Sequence, residues 1–146
     1  MDILSIIILV FMILETSNVI ILYFKPDSKL GNGVAVFNGW HKSKEDENMH
    51  DFVKYMVNWV AGTKLIFIVL LGVIILTGNQ LTKLLAVVCL ILSIGSYYFR
   101  LSPLIHKLDD KNEITPKDYS KILDVMIATF IGVFLIGLIV SIFKLI

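Results

Sequence analysis

Four stretches of this chain stay apolar for about 20 residues at a time, and nothing else in the sequence restricts its fold so strongly. The windows cover about residues 3–24, 55–77, 81–99 and 125–143. At 1.5 Å rise per residue, each is long enough as a helix to cross the roughly 30 Å hydrocarbon layer of a bilayer. A segment in lipid must satisfy its own backbone N–H and C=O groups, which a helix does and an open strand does not. The expected fold class is therefore all-α: an integral membrane protein built as an antiparallel four-helix transmembrane bundle, one membrane domain over residues 1–146. The composition agrees, at 57% hydrophobic with a mean hydropathy of +0.84. The lipid bilayer is the first expected partner. A net charge of +1 offers no field for nucleic acid, and none is expected.

No basic residue precedes the first apolar block, and Lys25-Pro26-Asp27 follow it where a cleavage site would show small residues. It reads as a permanent span rather than a secretory leader. Orientation follows from the basic residues. Lys25, Lys29, Lys42, Lys44 and Lys54 lie in the first connection, and Arg100, Lys107, Lys111, Lys117 and Lys121 in the third. The opposite side carries Lys83 and Lys144. Ten against two places connections 25–54 and 100–121 in the cytoplasm and both termini outside a multi-pass protein of the cell membrane. The first and third spans end alike, in Tyr23-Phe24-Lys25 and Tyr98-Phe99-Arg100. A duplicated helical hairpin would do this, but the rest of the halves do not align, and an interfacial aromatic belt followed by an anchoring charge is the favoured reading.

Local signals refine the boundaries. Ser43 with Asp46 three residues later resembles a capping box, so the second helix is expected to begin near Lys44 and to stand in water for its first turns. Thr115-Pro116-Lys117-Asp118 combines an N-cap, a proline at the first helical position and an early acid, which predicts the start of the fourth helix. The short turn Thr77-Gly78-Asn79-Gln80 makes the second and third helices antiparallel neighbours. In the first connection, Leu30, Val34, Phe37 and Trp40 recur at helical spacing after Gly31-Asn32-Gly33. Two readings stand: an amphipathic helix on the inner membrane surface, or a loop packed against the bundle.

Glu15 is the most informative residue. An acid at the bilayer centre costs about 3 kcal/mol on insertion scales, so Glu15 should face the bundle interior. Lys64 is the expected partner. Glu15 lies nine residues before the inner end of the first span and Lys64 nine residues after the inner start of the second. Both therefore sit about 13 Å deep on helices of opposite direction. Asn18 and Asn58 are level with one another nearer the cytoplasm. Asn58 and Lys64, six residues apart, point in directions about 120° apart. The pair has two readings: it fixes helix register, or it serves as a relay or ligand site. Arg100 and Asp124 fall at similar depth and are expected to pair. With Ser93, Ser96, Tyr97 and Thr129 they make the inner half of the bundle more polar than the outer half. That fits either an inward-open vestibule or, as favoured for the serines and threonines, inter-helix hydrogen bonding near a wet interface.

Ala128-xxx-Gly132 and Gly137-xxx-Ser141 smooth the fourth helix, either for packing within the chain or for a homo-oligomer or partner seam. The single cysteine, Cys89, reads as a small buried residue. His41, His50 and His106 do not stand at metal-ligand spacing, and no phosphate loop, nucleophile elbow or haem motif occurs. No metal and no cofactor are expected. Three function classes remain open. The first is a transport- or channel-type protein centred on Glu15 and Lys64, with Asn18, Asn58, Arg100 and Asp124 as further candidates. The second is an accessory or scaffold subunit. The third is a membrane enzyme acting on a lipid-like substrate, for which the residues form no constellation.

Overall fold

A computed structural model describes residues 1–30 and 33–143, so Gly31, Asn32 and Lys144 lie outside the described residues. The protein is 82% helical, with no strand among the described residues. Four helices are long and apolar enough to cross a membrane. The first, α1 (Ile3–Phe24), begins at Asp2, whose carboxylate accepts from the backbone and hydroxyl of Ser5 at 2.9 and 2.8 Å. It stops where Pro26 bars Lys25 from helical geometry.

The first connection folds as a 3-10 turn (Val34–Val36) and a short α2 (Asn38–Ser43). Val36 and Trp40 are buried while Leu30 is exposed, so no continuous amphipathic face forms and the segment packs against the bundle. Extended backbone at Gly33 and Phe37 breaks the helical spacing. The Trp40 indole donates to Asp27 at 2.7 Å, and its ring joins Val19, Leu22 and Ala61 in a cluster between α1 and α3. The Lys44 ammonium and the Trp40 N–H together hold the Asp27 carboxyl below its usual range.

The long α3 (Glu47–Thr77) is capped by Asp46, which accepts from the Met49 N–H at 3.1 Å. The expected Ser43 cap is not used. Its hydroxyl donates to the Trp40 carbonyl at 2.8 Å and lies 3.0 Å from Nδ1 of His50, which leaves Asp46 to cap the helix. After a turn at Gly78 and Asn79, α4 (Gln80–Gly95) runs back. The third span does not continue straight to Phe99. It breaks at Ser96 and again at Leu101 into α5 (Tyr97–Arg100) and α6 (Ser102–Asp110), the latter with a proline in its first turn.

The last helix, α7 (Tyr119–Phe143), starts later than Thr115-Pro116 predicts. The Thr115 N–H instead donates to the Val36 carbonyl at 2.8 Å, in a bridge that pairs Phe37 with Ile114. Asp118 adopts a positive φ of 62°, outside helical geometry. The cap comes from another helix. Asp109 of α6 accepts from the Ser120 N–H at 3.0 Å and the Ser120 hydroxyl at 2.6 Å, satisfying donors that α7 leaves free.

Side-chain contacts fix the helix directions. Along α1, Phe11 meets Phe67, Glu15 meets Lys64 and Tyr23 meets Gly62, so α1 and α3 are antiparallel. Gln80 at the start of α4 donates to Ser141 near the end of α7 at 2.7 Å, while Lys83 reaches Asp2 at 2.7 Å. Burial disfavours the charge on Asp2, but the Lys83 ammonium and the Ser5 donors outweigh it and hold that carboxyl well below the usual range. Phe11 packs edge-on against Phe130 and Phe134, with centroids 5.6 and 5.4 Å apart, among Leu4, Ile8, Leu71 and Val87.

Gly137 brings α7 close to α1: a Cβ there would run into the Ile7 Cδ1, whereas one at Gly132 would meet nothing within 4 Å. Gly137→Val should therefore lower the thermal transition in detergent by the about 1–3 kcal/mol that overpacking costs. Gly132→Ala should be neutral or stabilising by up to about 1 kcal/mol. Equal losses at both positions would show that α7 does not approach α1 through Gly137.

Candidate functional site

An ion pair between the long apolar helices joins α1 to α3. Lys64 Nζ donates to Glu15 Oε2 at 2.8 Å and to Asn18 Oδ1 at 2.7 Å. Glu15 and Asn18, three residues apart, share one face of α1, which lets a single ammonium reach both. The side chains of Glu15 and Lys64 are only 19% and 21% exposed. With its oxygen committed to Lys64, the Asn18 amide points its nitrogen elsewhere. Nδ2 is the one buried side-chain nitrogen or oxygen among the described residues without a hydrogen-bond partner. Leaving a buried donor unmatched costs about 1–3 kcal/mol.

Space adjoins this cluster on two sides. A cavity of about 390 Å³ lies between the pair and α6, with Ser96, Leu104 and Leu123 in its wall. A second, of about 270 Å³, lies towards α7, with Asn18, Met126 and Phe130 in its wall. Glu15, Lys64, Ile94 and Ile127 line both, so the charge pair stands at their junction. A third, of about 290 Å³, reaches Asn18 and Lys64 from the first connection past Val34 and Val57. Volumes of this order fall at the lower end of small-molecule sites.

The other expected residues are placed differently. Asn58 is exposed and lines none of these three cavities, as its angular offset from Lys64 implies. Arg100 is exposed and does not meet Asp124. The breaks around α5 turn Arg100 outward and lay α6 against α7. Asp124 then accepts from Tyr97 at 2.8 Å and Ser102 at 3.1 Å, and lies 2.7 Å from Nε2 of His106. From the sequence, Ser102 goes unremarked and His106 figures only as a metal-ligand candidate, not as a partner of Asp124. Their i,i+4 spacing around Pro103 is the signal that a helix there would put both on one face. Thr16, Ser17, Thr63 and Thr129 bond carbonyls four residues back in their own helices, and of these only Ser17 lines one of the cavities. Cys89, expected to be buried, is exposed beside a separate apolar cavity.

The arrangement is a neutral pair with donor capacity to spare. An ammonium has three N–H donors and an amide two, and two of the ammonium donors are occupied. It can therefore accept a ligand oxygen without a change in net charge. Among the described residues, no three His, Cys, Asp or Glu side chains gather closely enough to hold a metal ion. Compared with known protein families, characterised proteins and solved structures, the chain matches none.

Coupling between the two charges is measurable. Glu15→Gln and Lys64→Met should each destabilise the protein in detergent by about 3–5 kcal/mol, because each strands the other charge. The double variant should lose less than the sum of the two. Strictly additive losses in thermal denaturation would mean that the residues do not interact.

Proposed function

We propose that this chain is a four-span integral membrane protein of transport type, which takes up a ligand between its helices at the Glu15–Lys64–Asn18 centre. The observation that carries the reading is a buried amide nitrogen left without a partner beside an ion pair that has space on both sides. A pair serving only to align two helices would be expected to close those gaps, since interiors pack to few voids.

Membrane insertion is supported by the outer faces of the helices, where apolar side chains such as Ile66, Leu76 and Ile136 lie exposed. Soluble monomers rarely expose apolar patches beyond a few hundred Å². The orientation is supported by the basic residues, because both connections with five lysines or arginines meet at one end of the helices through Phe37 and Ile114. The cavity beside α6 lies towards that end, so the ligand enters from the cytoplasmic side. A homo-oligomer or accessory contact through α7 would use Ala128 and Gly132, since Gly137 and Ser141 are engaged inside the chain.

Two labelling experiments in a Cys89→Ser background test this reading. For orientation, a cysteine at Asn79 should react with an impermeant reagent in intact cells, and cysteines at Ser28 and Asn112 should not. Labelling at Ser28 or Asn112 would reverse the topology.

For access, Ile127→Cys, at the junction of the two cavities, should react in inside-out vesicles with a small water-soluble thiol reagent. Ile136→Cys, on the outer apolar face, should not. An inert Ile127→Cys would mean that no route leads from the cytoplasm to the pair, and would remove the transport reading.

A further inference from the structure

The shape and chemistry of the cavities narrow the ligand further. We infer that the site binds an uncharged amphiphile: a hydroxyl- or carbonyl-bearing head seated at Glu15, Lys64 and Asn18, with an apolar tail lying along α6. The inference rests on the preceding reading that this centre is a ligand site, and adds the class of ligand.

The charge of the head follows from the pair. Glu15 and Lys64 already neutralise one another at 2.8 Å. An anionic head drawn to Lys64 would bring a second negative charge beside the Glu15 carboxylate, and a cationic head drawn to Glu15 would meet the ammonium. In a low-dielectric site either repulsion is severe. A neutral head avoids both. Its oxygen can take the remaining Lys64 donor, and its hydroxyl can donate to the Glu15 carboxylate, both of which line the cavity beside α6, while Asn18 holds the ammonium in place.

The tail follows from the walls. The wall of the cavity beside α6 includes Leu101, Leu104, Ile105 and Leu108, of which Leu101 and Leu104 are 58% and 53% exposed. A wholly polar solute would pass these side chains without finding a hydrogen-bond partner. An alkyl chain would cover them and reach the apolar surroundings of the helices. The polar lining is the charge pair with Ser93, Ser96 and Tyr97, and the remaining wall is apolar.

The test uses the full chain in lipid nanodiscs and three photoactivatable probes with the same alkyl chain and a diazirine near its end. One carries a glycerol ester head, one a sulfonate and one a trimethylammonium. The glycerol ester should label the segment from Leu101 to Leu108 saturably, and excess unlabelled monoacylglycerol should displace it. The charged probes should label that segment at least about tenfold less, the loss expected for about 1.4 kcal/mol of binding free energy. Asn18→Leu should reduce labelling by a similar factor. Labelling of the outer face around Ile136 should be the same for all probes and both proteins, which serves as the control for folding and insertion.

Equal or stronger saturable labelling by a charged probe would overturn the neutral-head assignment and leave a ligand site standing. Labelling that cannot be displaced, or that does not exceed the outer-face level, would overturn the amphiphile altogether. Reactivity of Ile127→Cys then separates the two conclusions: a reactive cysteine with no displaceable labelling sinks only the ligand class, and an inert one sinks the site as well.

Discussion

An ammonium and a carboxylate embedded in apolar helices stabilise a fold only if they meet, because either one alone is stranded in a medium that cannot solvate it. Glu15 and Lys64 impose that condition on α1 and α3, and the rest of the architecture is consistent with it. Matching their depth sets the register in which Phe11 meets Phe67 and Tyr23 meets Gly62. With the two helices aligned, Phe11 presents its ring to Phe130 and Phe134, which seats α7, and Gly137 lets that helix close against Ile7. The same alignment leaves Asn18 committed to Lys64 through its oxygen and unmatched at its nitrogen.

The charged connections are structured parts of the molecule. Val36 and Thr115 share a backbone hydrogen bond, Lys42 reaches Glu113, and Val36, Ile105, Ile114 and Leu123 pack into one cluster with Tyr97 and Tyr119. Two acids hold α6 in place. Asp109 caps α7, and Asp124 gathers Tyr97, Ser102 and His106. Both carboxylates receive several donors, the condition under which a partly buried acid is tolerated. Their combined effect positions α6 as the wall of the larger cavity, so hydrogen bonds at one end of the helices shape the space beside the charge pair.

That space is what favours the proposed ligand site over a pair that only fastens two helices. A register-fixing ion pair needs only its own two charges and well-packed surroundings. Here the neutral pair retains donor capacity, an amide nitrogen lacks an acceptor, and apolar walls lead away to exposed leucines. Polar groups at one end of an apolar cavity are the usual composition of a site that orients a small molecule.

The sequence by itself determined the four long helices, because helices of this length and hydropathy are dictated by backbone hydrogen bonding and apolar burial within each segment. It also made the Glu15–Lys64 contact legible, since rise per residue is a local constant and equal depths can be counted. It was less informative wherever the partner lay far away in the chain. Ser43 and Thr115 carry valid local cap signals, yet Asp46 and Asp109 cap the helices, because Ser43 is held by Trp40 and His50 and the Thr115 N–H by Val36. Arg100 and Asp124 sit at similar depth, but the breaks around α5 rotate one outward and supply the other with donors from α6. The cavities, the unmatched nitrogen of Asn18 and the choice between packed loop and surface helix were decided only by tertiary structure. Each depends on how several helices approach in three dimensions, and depth along a single helix carries no information about that.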